Sequence, residues 1–155
     1  TLKLSKEAKP VLGYKPLESL IGKENVTLAE IRDLVVKTRD IKLPDWRKFP
    51  NTGSFFKNPI IDKSKVESLK SKYPDIKIFD FEDKYKVSAA WLIENVAEAK
   101  GKRVGNIGTW PNQPLVLVNY GDGTAKELND FANEIQNKIE IETGVTLDRE
   151  VNFVE

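Results

Sequence analysis

Apolar residues recur at helical spacing behind Thr27: Ile31, Leu34 and Val35 share one face, preceded by Thr27-Leu28-Ala29-Glu30. A hydroxyl three residues ahead of a carboxylate can satisfy the free amides of a first helical turn, so this is a capping box. The pattern predicts a helix to about Thr38 or Arg39. From Ile41 to Gly53 the periodicity stops, and Pro44 and Pro50 interrupt both helical and ladder hydrogen bonding, which predicts an ordered loop. Ser54-Phe55-Phe56-Lys57 and Ile60-Ile61 read as short extended pieces broken by Pro59. Val66 and Leu69 share a face of a helix from Ser64 to Lys72, which Pro74 stops. Ile76-Lys77-Ile78 and Tyr85-Lys86-Val87 are expected strands, and Ser88 caps a helix that presents Trp91, Leu92 and Val96 before Gly101.

The continuous apolar run Leu115-Val116-Leu117-Val118 has the length and character of a central strand, and Gly121-Asp122-Gly123 turns the chain out of it. Thr124-Ala125-Lys126-Glu127 is a second capping box. Leu128, Phe131, Ala132, Ile135 and Ile139 then stack on one face until Gly144, which predicts the longest helix. From Val145 to Val154 apolar and polar residues alternate, as in a half-buried final strand. Helices interleaved with short strands predict an α+β fold, a single domain in which a small mixed sheet packs against helices.

Composition narrows the chemistry. Across 155 residues, 25 Lys+Arg stand against 24 Asp+Glu, a net charge of +1 that supplies no field for holding nucleic acid or an anionic membrane surface. Zero Cys excludes thiol catalysis and thiolate metal sites, and zero His excludes imidazole as base or ligand. Any chemistry falls to hydroxyls, carboxylates, Lys, Arg or Tyr. No apolar run approaches the roughly 20 residues that span a bilayer, so a soluble, cytoplasmic protein is expected. The chain opens on Thr1 and contains no Met, which leads us to expect a piece of something longer.

Gly101, Gly105 and Gly108 lack the spacing of a dinucleotide fingerprint. Asp80, Glu82 and Asp83 form a small acidic cluster that reads as a solvated turn, and no metal site is expected. The segment that stands apart is Asn51-Thr52-Gly53-Ser54-Phe55-Phe56-Lys57-Asn58-Pro59, where a hydroxyl directly follows a glycine that lets the backbone turn tightly. Taken on composition alone, it is a hairpin entering a core strand.

Gly53-Ser54-Phe55-Phe56-Lys57-Asn58-Pro59 also resembles the signature of the UDP-N-acetylenolpyruvoylglucosamine reductase family, flavoenzymes of peptidoglycan precursor synthesis. Further segments resemble the family in the same order: Pro10-Val11-Leu12-Gly13-Tyr14, Lys42-Leu43-Pro44-Asp45, Ala90-Trp91-Leu92-Ile93-Glu94, Gln113 to Asn119, and Arg149-Glu150-Val151-Asn152-Phe153. The resemblance covers nearly the whole chain but only the C-terminal part of the family's enzyme. It implies that residues 1–155 are the substrate-binding domain and that the FAD-binding domains precede it. The Tyr14 segment is similar to the type I branch, in which a tyrosine-bearing loop covers the substrate.

What the resemblance implies for chemistry is specific. NADPH reduces FAD in the family, hydride passes to the enolpyruvyl carbon of UDP-N-acetylglucosamine enolpyruvate, and a serine protonates the neighbouring carbon. Ser54 matches that proton donor. Glu150 matches the glutamate that stabilises the enol form of the substrate carboxylate together with an arginine from a preceding domain. Tyr14, Lys42, Asn58 and Gln113 match residues that hold the UDP diphosphate. FAD and NADPH are thus implied for the whole enzyme, with neither expected to bind these residues alone, and the isolated chain is expected to be inactive. The alternative is a stand-alone UDP-sugar-binding or interaction module without catalysis, against which the presence of both Ser54 and Glu150 weighs.

Overall fold

The computed structural model describes residues 1, 3, 7 and 9–154. The chain divides into two units, Thr1–Lys42 and Leu43–Glu155. In the first, a 3-10 helix (Lys15–Leu20) with buried Leu17 and Leu20 lies against α1 (Leu28–Lys42). The expected capping box is formed: Glu30 N–H donates to Thr27 Oγ1 at 3.2 Å, and Thr27 N–H donates to Glu30 Oε2 at 2.9 Å. α1 continues past Arg39 to Lys42. Nothing earlier breaks it, and Pro44 disfavours helical backbone only from the residue before it, Leu43. Ile41 and Lys42, expected in a loop, are therefore the last residues of a helix.

The second unit opens with β1 (Asn51–Ser54) and β2 (Ile60–Ile61), then α2 (Lys63–Lys72), which ends ahead of Pro74. β3 (Ile78–Phe81) and β4 (Lys84–Val87) form a hairpin whose exposed turn is Glu82-Asp83, as the acidic cluster predicted. β2 pairs with β4, giving a three-stranded sheet ordered β2-β4-β3. α3 (Ala89–Asn95) starts at Ser88, whose Oγ accepts from Trp91 N–H at 3.2 Å. After it come β5 (Arg103–Val104), β6 (Ile107–Trp110), β7 (Gln113–Asn119) and α4 (Ala125–Thr143).

β7 is an inner strand, as its apolar run predicted, in a four-stranded sheet ordered β1-β7-β6-β5. Every pairing among the described residues is antiparallel, so the one mixed sheet expected is instead two antiparallel sheets. The α+β fold holds. β5 and β6 were not legible because glycines punctuate them. Gly108 is required for closeness: a Cβ there would stand 2.5 Å from the Lys102 carbonyl oxygen. α3 lies on β7, and α4 on β6 and α3. Together they enclose one apolar core that includes Phe55, Phe56, Leu92, Ile93, Ile107, Leu117, Phe131, Ile135, Ile139 and Leu147.

The final strand expected from Val145 to Val154 is not formed. Its alternation is real, since Val145 and Leu147 are buried. Side chains, however, take the backbone groups a ladder would need: Thr143 Oγ1 accepts from Val145 N–H at 3.1 Å, and Gln136 Nε2 donates to Leu147 O at 2.7 Å. What remains is a single antiparallel bridge between Phe56 and Arg149.

Candidate functional site

β1 meets β7 with a bulge. Asn51 pairs with Val118 and Ser54 with Val116, so three steps on β1 oppose two on β7. The extra residue is absorbed at Gly53, whose φ of 76° lies in the left-handed region that only glycine enters without strain. Asn51 braces the bulge from both sides: its Oδ1 accepts from Gly53 N–H at 3.0 Å and its Nδ2 donates to Phe49 O at 2.8 Å. Ser54 leaves the bulge exposed, while Phe55 and Phe56 turn fully into the core. Among the described residues no partner engages the Ser54 hydroxyl, which is left free to meet a ligand.

The main chain beside Ser54 is tied on two sides. Phe55 N–H donates to Leu115 O on β7 at 2.9 Å, and Phe55 O accepts from Glu150 N–H at 2.9 Å. Lys57 N–H donates to Asp148 O at 2.8 Å on the far side of the Phe56–Arg149 bridge. Ser54 thus sits one residue from a hydrogen bond made by Glu150, 96 positions further along the sequence. Glu150 is exposed, as is Ser54. Gln113 begins β7, opposite Trp110, at the end of the sheet toward which the chain runs beyond Ser54. Asn51 and Thr52 stand at the rim of an apolar cleft of about 300 Å³ lined by Phe55, Leu117 and Leu128.

Asn58 already has structural work. Its Oδ1 accepts from Ala89 N–H at 2.9 Å and so satisfies a free amide at the start of α3. Its amide nitrogen has no partner among the described residues. Tyr14 and Lys42 belong to the other unit. Tyr14 is half exposed and its carbonyl accepts from Leu17 N–H at 2.7 Å. Lys42 is an exposed residue in the last turn of α1, where a cation complements the helix dipole.

A residue that sequence reasoning passed over is Arg149. Its guanidinium donates to Asn129 Oδ1 at 2.7 Å, Asn133 Oδ1 at 2.6 Å and Gln136 Oε1 at 3.1 Å, all on α4. It also lies over the rings of Phe153, 5.2 Å away, and Phe55, 5.9 Å away. The available signal was the polar stripe Asn129, Asn133 and Gln136, at helical spacing beside the apolar stripe of α4. Among the described residues no group of three or more acidic, His or Cys side chains could hold a metal ion. No helix among them is long and apolar enough to cross a membrane.

Residues 44–154 match the family profile described as UDP-N-acetylenolpyruvoylglucosamine reductase, C-terminal domain. The chain belongs to this family. Reductases of that name from individual bacteria are similar along almost all of it. That of Flavobacterium johnsoniae is 40% identical over 145 residues, covering 91% of this chain and 43% of its own length. That of Idiomarina loihiensis is 39% identical over 153 residues, covering 98% and 45%. The Shewanella sediminis reductase is 41% identical over 154 residues, covering 99% and 44%. The chain therefore spans less than half the length of the reductases it matches.

Proposed function

We propose that this chain is the C-terminal, substrate-binding and proton-donating part of an enzyme that reduces UDP-N-acetylglucosamine enolpyruvate to UDP-N-acetylmuramate in peptidoglycan precursor synthesis. The preceding part of that enzyme would carry FAD and use NADPH, and the flavin supplies hydride when bound there. What falls to these residues is the proton and the charge. A serine hydroxyl is a weak acid, so it protonates carbon only where a strongly basic carbon is held within hydrogen-bond reach. Ser54 suits that task because its hydroxyl is exposed on a braced bulge and has no partner among the described residues. Glu150 would stabilise the enol form of the substrate carboxylate by electrostatic preorganisation, with an arginine from the preceding part. Tyr14, Lys42, Asn58 and Gln113 would hold the diphosphate through one cation and neutral donors.

The observation that most supports this reading is the hydrogen bond from Glu150 N–H to Phe55 O, which brings the glutamate's backbone beside that of Ser54. The test is steady-state NADPH oxidation by the full-length protein. Oxidation should depend on the enolpyruvyl ether and yield UDP-N-acetylmuramate, and Glu150→Gln should lower kcat by roughly a hundredfold. NADPH oxidation indifferent to the ether, or unchanged kcat in the variant, would contradict the assignment.

A further inference from the structure

Arg149 is half-buried, yet its three hydrogen-bonded partners are neutral amide oxygens. Among the described residues it forms no ion pair, in a chain that carries 24 acidic residues. Amide oxygens hold a guanidinium's direction without cancelling its charge, and the planar fork makes that direction specific. The three partners lie along one face of α4, a 19-residue helix closed by its own capping box. One of them, Gln136, also donates from its Nε2 to Leu147 O, so the same helix grips the segment at two points. On the other side, Asp148 O and Glu150 N–H are bonded to Lys57 and Phe55.

Successive side chains of an extended segment point in opposite directions. With Arg149 drawn onto α4, Glu150 is turned the other way and left exposed, and its N–H bonds to the carbonyl of the residue after the exposed Ser54. A bridge of one residue pair does little to fix register, and a one-residue slip would exchange the two side chains. We propose that Arg149 is a positioning residue, whose fork onto Asn129, Asn133 and Gln136 sets the facing of Glu150 beside Ser54. Its catalytic consequence rests on the function proposed above, whereas its effect on the Glu150 backbone does not.

Arg149→Lys keeps the charge and loses the fork. Asn129→Ala with Asn133→Ala removes two arms of the grip and leaves residue 149 intact. In the full-length enzyme both variants should speed amide hydrogen exchange at Glu150 and Lys57 while β6 and β7 amides stay protected. Both should lower kcat for the enolpyruvyl ether by about 10- to 100-fold while flavin reduction by NADPH stays within about twofold of wild type. Wild-type exchange and kcat in Arg149→Lys would overturn the proposal, because charge alone would then suffice. Equal slowing of flavin reduction and turnover, with exchange raised throughout the sheet, would also overturn it by marking a general structural role. A wild-type enzyme without ether-dependent turnover would refute the proposed function instead, leaving exchange at Glu150 to decide the positioning.

Discussion

Gly53 in the bulge before Ser54 and Asn58 four residues beyond it have separable physical roles. Gly53 is demanded by backbone conformation alone, since a Cβ there would meet nothing within 4 Å but would have to tolerate a φ of 76°. Gly53→Ala should cost about 1–2 kcal/mol of stability in a denaturant titration; no change would mean that the bulge relaxes. Asn58 uses its Oδ1 to cap α3, and the proposed function assigns its amide nitrogen to the diphosphate. Asn58→Asp keeps the acceptor and loses the donor. It should therefore hold its melting temperature while KM for the enolpyruvyl ether rises roughly tenfold, and unchanged KM would remove Asn58 from the binding set. The glycine and hydroxyl were legible as a motif, because glycine before serine amid core aromatics signals a special backbone. Arg149 was not, because its partners are uncharged and lie 13 to 20 residues away on another element.

At the scale of elements, the helix starts were the most legible features, because a capping box is a local event written in four consecutive residues. Both boxes formed as read, at Thr27 and Thr124. Strands that depend on distant partners were less legible: the short β5 and the glycine-bearing β6 escaped, and the alternation after Val145 indicated burial without indicating a ladder. The first capping box also carries a pH signature. Lys23 hydrogen-bonds the Glu30 carboxylate, and Thr27 adds its backbone N–H and hydroxyl, which together lower the Glu30 pKa to about 2. Because the folded group stays charged to lower pH than the free one, its contribution to α1 is complete above the usual 4.5 and is lost as pH falls through about 2. Carboxyl NMR should show Glu30 titrating near 2, and Lys23→Ala should move the midpoint upward. A midpoint at the ordinary carboxylate value in the wild type would show that Lys23 and Thr27 do not hold the charge.

For the whole molecule, the α+β class and the inner strand β7 followed from periodicity, whereas the sheet order required the structure. The site residues assigned by resemblance fall in both units: Tyr14 and Lys42 in Thr1–Lys42, and Ser54, Asn58, Gln113 and Glu150 in Leu43–Glu155. Within the second unit, tertiary hydrogen bonds bring the backbones beside Ser54 and Glu150 together, which no sequence spacing could express. The central claim is that Ser54 supplies a proton and nothing else. Stopped-flow flavin absorbance of Ser54→Ala in the full-length enzyme tests it directly, by separating reduction with NADPH from reoxidation with the enolpyruvyl ether. The account predicts wild-type reduction with reoxidation slowed by roughly a hundredfold or more, the scale of a positioned acid, and an unchanged melting curve. Reoxidation at the wild-type rate, or equal slowing of both half reactions, would contradict it.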